Sequence, residues 1–219
     1  LEQCRNSFGN KVTVVQYPVD AGPNFNAVID VLKMKMYKYD EKGGKPEELE
    51  IPDAEKGKAE ELHNELIEMA AENEEELMEL YFDKGTLTED EMRKGMKLGM
   101  LQRDLFPVFC TCARKDIGVG RLLEFIVNIA PSPDERRVRK VAEGKELKMD
   151  ASEEPSLFVF KSSVESHVGE ITYFKVMSGT IKEGLDIFNS QTENKERLSQ
   201  VYVAAGKNRE KVDELVAGD

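Results

Sequence analysis

The stretch PVFCTCARKDIGVGRLLEFIVNIAPSP, residues 107–133, decides the fold class, because it predicts a strand, a loop and a helix in succession. The apolar run DLFPVFCTC predicts the strand, and the polar, glycine-bearing ARKDIGVG predicts the loop. The predicted helix places four apolar residues on one face: Leu122, Leu123, Ile126 and Val127. The prolines of PSP end this helix. This order of elements is typical of an α/β domain.

Residues 11–51 predict strands and turns. KVTVVQYPV, residues 11–19, predicts a strand that Pro18 ends, and the following DAGPN is typical of a turn. The end of VIDVLKMKMYKY alternates, with Met34 and Met36 against Lys35, which predicts a half-buried strand. After the turn DEKGGK, the segment EELEI predicts the returning strand of a hairpin.

Residues 55–102 predict helices. Seven apolar residues in the range 55–81 recur at three- and four-residue steps, so they share one face: Ala59, Leu62, Leu66, Met69, Ala70, Leu77 and Leu80. The opposite face is rich in glutamate, which is typical of a solvated face, with a docking surface for a basic or helical partner as the functional alternative. Thr88 with Glu91 three residues later predicts a capping box, and the helix it begins should run to about Gln102.

Beyond residue 131 the composition changes twice. Residues 132–153 are polar, charged and aperiodic, which predicts a linker. From residue 154 onward, short strand-like runs such as SLFVFKSS, GEITYFKVMSG and RLSQVYV alternate with turn sequences. Regular spacing of this kind predicts a small β-barrel.

The composition of the whole chain narrows the class of protein. Its 219 residues fit one large domain or two ordinary ones, and its net charge of −12 argues against a surface that binds nucleic acid all round. No apolar run has the roughly 20 residues of a membrane span, and no secretory signal is recognisable. Three cysteines without paired spacing predict a cytoplasmic protein with free thiols. Because the chain lacks an initiator Met, we expect a fragment of a longer protein.

Cys110 and Cys112 are the first candidates for chemistry. Two cysteines at i and i+2 of a strand share a face, but a zinc site needs about four ligands. The remaining soft donors, Cys4, His63 and His167, are isolated in the sequence. We therefore predict no metal site and interpret the two cysteines as small apolar residues at the end of a strand.

No catalytic constellation is visible in the sequence. The phosphate-binding pattern G-x-x-x-x-G-K-[ST] is absent, and so is the guanine-reading N-K-x-D, because NKER carries Arg197 where the aspartate is needed. The clustered glutamates offer no pair with visibly different environments. We interpret His167 in a hairpin sequence as a polar loop residue, with a contact to RNA as the functional alternative. We predict no catalytic residue.

Taken in order, several segments resemble the elongation factor G family of bacterial translocation GTPases. LIEMAAENEEELMELYFDKGTLTEDEMRKGMK is similar to the family's LIE-x-AAE-x-[DS]-EELMEKYL-x-G-x-ELTE-x-E helices. PVFCTCARKDIGVGRLLEFIVNIAPSP resembles PV-x-CGSA-x-KNKGVQ-x-LLDAV-x-x-YLPSP, and KNREKVDELVAGD resembles N-[KR]-RE-[ED]-[IV]-x-E-[VL]-x-AGD. The similarity extends over nearly the whole chain, and several long matches in one order form a specific signal.

The resemblance implies a domain arrangement. Residues 1–131 would form the C-terminal part of a P-loop GTPase domain, with an α+β insertion subdomain at about 11–103 and the last strand and helix at 104–131. Residues 132–153 would be a linker, and 154–219 the truncated β-barrel of domain II. The implied fold class is therefore α/β, followed by a partial β-barrel.

One functional element of the family is implied within the chain. The family's S-A-[LKF] loop, whose backbone amide contacts the guanine base, corresponds to Cys112, Ala113 and Arg114. The contact needs only a backbone N–H at Ala113. Thr111 stands where the family has Gly, Cys112 where it has Ser, and Arg114 where it has an apolar residue or Lys. These departures indicate a divergent or paralogous member of the family.

The resemblance also implies cofactors, partners and an activity. A full-length parent would bind GTP or GDP with magnesium and promote tRNA–mRNA movement on the ribosome. Its insertion subdomain would contact the ribosomal stalk protein, its domain II would contact small-subunit RNA, and no membrane would be involved. The chain itself should bind no nucleotide and have no GTPase activity. The alternatives are a non-hydrolysing ribosome-binding paralogue and a ribosome protection factor of the tetracycline-resistance type.

Overall fold

The structure is a computed structural model that describes residues 1–40, 43–136, 138–140, 146–166, 169–206 and 208–219. The chain divides into two compact units, residues 1–131 and 132–219. In the first unit, the helices are α1 (Glu2–Phe8), α2 (Asp53–Ala71), α3 (Glu75–Lys84), α4 (Glu89–Gln102) and α5 (Val119–Asn128). Its strands are β1 (Val12–Val14), β2 (Gln16–Val19), β3 (Ala27–Asp30), β4 (Lys35–Lys38), β5 (Glu47–Leu49) and β6 (Phe106–Val108). In the described part of the chain, no helix is both long enough and apolar enough to cross a bilayer.

A parallel pair of strands joins the two ends of the region predicted to be an insertion. β1 pairs with β6 in the register Val12 with Phe106 and Val14 with Val108. The single strand predicted for residues 11–19 is wrong in this respect, because the chain bends at Val15 and β2 enters a different sheet. Pro18 lies within β2 rather than after it, which is tolerated because β2 is an edge strand.

The second sheet of this unit is antiparallel, in the order β2-β3-β4-β5. The alternating segment is confirmed as β4 and EELEI as the returning strand β5. Between β3 and β4 the chain turns with Met34 at a positive φ of 51°. The side chain of Asp30 stabilises this turn by accepting a hydrogen bond from the Lys33 backbone N–H at 2.9 Å.

The helix predicted for residues 55–81 is two helices, α2 and α3. The Asn73 side-chain amide donates to the Met69 carbonyl at 2.6 Å, so it takes the acceptor that the Asn73 N–H would use in a continuing helix. The predicted apolar face is correct, since it lies against the core. The capping box of Thr88 and Glu91 is confirmed at the start of α4, which ends at Gln102 as predicted.

Helix α5 buries a different face from the one predicted. Leu123, Ile126 and Val127 are 56%, 49% and 81% exposed, whereas Phe125 and Ile129 are buried. The helix is apolar on two sides, and the side with Phe125 packs into the core of the first unit. Phe125 packs edge-on against Phe109, with 4.8 Å between the ring centroids.

The second unit consists of paired strands. They are β7 (Val138–Lys140), β8 (Glu146–Lys148), β9 (Ser156–Glu165), β10 (Gly169–Ser178), β11 (Thr180–Lys182), β12 (Asp186–Asn189), β13 (Asn194–Arg197), β14 (Tyr202–Ala205), β15 (Asn208–Lys211) and β16 (Glu214–Val216). β7 pairs with β8 inside the stretch predicted to be a linker, so that stretch contains secondary structure. Within the described residues the sheets of this unit are open two-stranded pairs around Val176, Ile181, Val201 and Leu215, as in a partial barrel.

Candidate functional site

The loop between β6 and α5 contains the three predicted site residues. Strand β6 ends at Val108, so Cys110 and Cys112 lie in this loop and not on a strand as predicted. The loop closes on itself where the Cys112 N–H donates to the Ile117 carbonyl at 2.8 Å and the Ile117 N–H donates back at 3.1 Å. The segment Ala113–Lys115 forms one 3₁₀ turn inside this closure.

Cys112, Ala113 and Arg114 differ in their exposure. Cys112 is half-buried and extended, while Ala113 and Arg114 are exposed. In the described part of the chain, no hydrogen bond from the Ala113 N–H is found. The loop therefore presents a backbone donor beside a small side chain, which lets a planar ligand approach the main chain closely.

The end of the loop needs an unusual backbone. Asp116 has a φ of 53° and Gly118 a φ of 73°, both in the left-handed region. A Cβ at position 118 would lie 2.7 Å from Gln16 Nε2 and 2.8 Å from the Cys110 carbonyl oxygen. Glycine is required here both by conformation and by space.

The two thiols pack as apolar groups. Cys110 and Cys112 lie against the buried cluster of Phe25, Val28, Tyr37, Tyr39 and Ile117. Burial raises the pKa of the Cys110 thiol, and the neighbouring Cys112 raises it further. The Cys110 thiol is therefore kept in its neutral form, which is a poor metal ligand. In the residues that the structure describes, no group of three or more His, Cys, Asp or Glu side chains could hold a metal ion.

Three contacts brace the loop against the sheet of β2 to β5 and its connections. Gln16 Nε2 donates to the Cys110 carbonyl at 2.5 Å, and Lys115 Nζ donates to the Pro23 carbonyl at 3.2 Å. A Cβ on Gly43 would lie only 1.9 Å from the Lys115 carbonyl oxygen, so the backbones are in close contact there. The sequence carried no local signal for these contacts, because each joins segments more than 70 positions apart.

A buried charge cluster fixes the start of α5 to the end of β3. Arg121 pairs with Asp30 at 2.6 Å, and the two side chains are only 12% and 9% exposed. The Arg121 guanidinium also lies 4.3 Å from the Tyr37 ring centroid, and burial raises the pKa of Tyr37 to about 12. Lys33 pairs with Glu124 at 2.8 Å, and this hydrogen bond, together with Arg121, lowers the pKa of Glu124.

The other sequence candidates lie elsewhere. Most of the glutamates predicted to be solvated are exposed on α2 and α3, but Glu74, just before α3, is half-buried. Lys94 of α4 pairs with Glu74 at 2.6 Å and with Glu76 at 3.3 Å. His63 Nδ1 lies 2.7 Å from the Val31 carbonyl oxygen, within hydrogen-bond distance. His167 is outside the described residues.

Known proteins are similar to this chain over its whole length. Residues 154–219 match the family model of elongation factor G domain 2. Elongation factor G of Ureaplasma parvum serovar 3 is 32% identical over 224 residues, which cover 100% of this chain and 33% of that protein. A crystal structure of a protein from Thermus thermophilus superposes with a TM-score of 0.74 at 28% identity, covering 99% of this chain and 30% of that one. The chain thus spans about a third of the length of these relatives.

Proposed function

The chain belongs to the elongation factor G family, and we propose that it is part of a ribosomal translocase that binds GTP and promotes tRNA–mRNA movement during translation elongation. The observation that carries this proposal is the 32% identity to one elongation factor G over the full length of the chain. In the full-length protein this part would contribute ribosome docking and one edge of the guanine pocket.

The loop of Cys112, Ala113 and Arg114 is proposed to contact the guanine base. An N–H donor at Ala113 suits the O6 acceptor of guanine, whereas adenine carries an amino donor at the equivalent position. Ala113 is exposed and its N–H has no hydrogen-bond partner among the described residues, which supports this role. Cys112 supplies a weakly bonding thiol where the family has a hydroxyl, and its backbone forms the bridge to Ile117 that closes the loop.

The phosphates and magnesium of GTP or GDP would be held outside this chain. The residues present fit the base edge only, since the sequence contains neither the phosphate-binding pattern nor N-K-x-D. When bound, magnesium would neutralise phosphate charge. We therefore expect calorimetry of the chain with GTP or GDP to detect no binding, and micromolar affinity would contradict this placement.

The domain assignment is part of the proposal. Residues 11–103 would be the insertion subdomain, 104–131 the last strand and helix of the GTPase domain, and 154–219 the start of domain II. The pairing of β1 with β6 supports it, because the chain leaves and re-enters the parallel sheet at neighbouring strands. Parallel sheets are normally covered on both faces, so the exposed Leu123, Ile126 and Val127 suit a position inside a larger α/β domain.

Charge distribution supports different ribosomal partners for the two units. Residues 1–131 carry 17 Lys and Arg against 26 Asp and Glu, and residues 132–219 carry 14 against 17. The acidic first unit disfavours RNA as its partner. The ribosomal stalk protein is proposed for it from the family resemblance and not from its charge. The nearly balanced second unit is better suited to small-subunit RNA. Such a protein would act in the cytoplasm.

Co-sedimentation with bacterial ribosomes tests this proposal. We expect the chain to bind complete ribosomes, and to bind less when the stalk protein is removed. A chain that binds neither ribosomes nor isolated small subunits would contradict the ribosomal role. The same assay does not separate a translocase from a non-hydrolysing paralogue or a protection factor, which differ in the turnover of GTP on the ribosome by the full-length protein.

A further inference from the structure

Gln16 is a buried polar residue at the start of β2. It contacts the loop between β6 and α5, residues 109–118, which is called the base loop below. The Gln16 side chain is 1% exposed, and its Nε2 donates to the Cys110 carbonyl at 2.5 Å. The same Nε2 lies 2.7 Å from where a Cβ on Gly118 would be. One amide group therefore contacts both ends of the loop, residues 110 and 118.

Burial of this amide is not explained by packing. Its other polar atom, Oε1, is buried and has no hydrogen-bond partner in the described part of the chain. An unpaired buried acceptor destabilises a fold, and an apolar side chain of the same size would avoid that cost. The neighbours Val15 and Tyr17 are buried apolar residues of the kind that suits this position. What the amide adds is the hydrogen bond to the loop.

Residues that follow β2 and β4 also contact the middle of the loop, at Lys115. Lys115 donates to the Pro23 carbonyl, and Gly43 lies against the Lys115 carbonyl. Pro23 follows β2 and Gly43 follows β4, so all three contacts come from the β2–β5 sheet and its connections. The position of the loop is thus set by the predicted insertion subdomain as well as by β6 and α5.

We propose that Gln16 is a positioning residue for the base loop. By holding the Cys110 carbonyl next to Gly118, it keeps the bridge between Cys112 and Ile117 closed and the Ala113 N–H presented for a ligand. The identity of that ligand, a guanine base, rests on the proposed function. Because coupling between sites is reciprocal, a partner that shifts the β2–β5 sheet would alter affinity at Ala113, and a ligand there would bias the sheet.

The test is amide hydrogen exchange and ¹⁵N NMR of the chain carrying Gln16→Met, which keeps the side-chain size and removes the donor. We expect exchange at the Cys112 and Ile117 amides to rise about tenfold, the ratio that corresponds to loss of one hydrogen bond. The Ala113 cross-peak should shift. Gln102→Met, at an exposed position, is the matched control and should change neither.

Two comparisons separate positioning from general destabilisation. Leu77→Ala weakens the core away from the loop, so it should speed exchange throughout the first unit without singling out the loop. Lys115→Met removes the second brace at an exposed position and should speed exchange at the same two amides by a smaller factor. The inference is overturned if Gln16→Met does not change these two amides selectively, whatever the effect of Lys115→Met. No nucleotide is used, so a full-length protein that does not bind guanine nucleotides would count against the proposed function alone.

Discussion

Gly95 of α4 is a position where the close approach of α2 leaves no room for a side chain. A Cβ added there would lie 2.2 Å from the Ala70 carbonyl oxygen and 2.7 Å from the Ala70 carbonyl carbon. Ordinary heavy-atom contacts lie at about 3.5–4.0 Å, so Gly95→Ala must push α4 away from α2 by about 1 Å or more. The Ala70 atoms that the new Cβ would contact belong to the backbone of α2, so they cannot move away by a side-chain rotation.

The expected magnitude follows from two opposing effects. Overpacking of this kind costs about 3 kcal/mol at the upper end of its usual range, because rigid backbone is involved. Replacing glycine by alanine within a helix returns about 1 kcal/mol. We therefore expect Gly95→Ala to lower the free energy of unfolding by about 2 kcal/mol. Gly57→Ala is the matched control, since a Cβ there has no neighbour within 4 Å. It should raise the free energy of unfolding by about 0.5–1 kcal/mol.

Urea unfolding followed by circular dichroism at helical wavelengths is the suitable assay. All five α-helices in the described part of the chain belong to the first unit, so the signal reports that unit. The two variants should differ by about 3 kcal/mol in opposite directions from the parent. A Gly95→Ala variant as stable as Gly57→Ala would refute the close approach of α2 and α4.

Three further predictions concern a cap, a carboxylate and a thiol. Thr88→Ala should cost about 1 kcal/mol in the same unfolding assay, because the Glu91 N–H loses its capping oxygen. Since the pKa of Glu124 is lowered by Lys33, its contribution to stability is present above the ordinary carboxyl pKa and lost as the pH falls through the lowered value. Glu124→Gln should therefore make the free energy of unfolding fall less steeply as the pH is lowered into the acid range. An unchanged acid dependence would contradict the pairing of Glu124 with Lys33. The Cys110 thiol, with its raised pKa, should react more slowly with a disulfide reagent in the folded chain than in urea.

The sequence predicted element types better than their limits. The capping box, α4 and the returning strand β5 were predictable because their signals are local. The break between α2 and α3 was missed because it depends on a side chain, that of Asn73, taking a helical acceptor. The prediction of the buried face of α5 was wrong. The sequence shows which residues are apolar, but it does not show which of the two apolar sides packs into the core.

The candidate loop was located by resemblance, but its support was not predictable. Residues 112–114 are contiguous, so a motif match is enough to find them. The brace from Gln16 depends on pairing across 94 positions. A lone glutamine within an apolar strand carries no signal of its partner. The same holds for Asp30 and Arg121, which are separated by 91 positions.

We propose that this chain supplies the guanine-base edge and the docking surfaces of an elongation factor of the G family. This proposal is tested most directly by a chimera in which residues 1–219 replace the matching third of Ureaplasma parvum elongation factor G. Translocation on ribosomes would be measured with GTP and with ATP. We expect the chimera to translocate with GTP and not with ATP, as the parent factor should. A folded, ribosome-bound chimera that fails with GTP, or accepts ATP equally, would contradict the account.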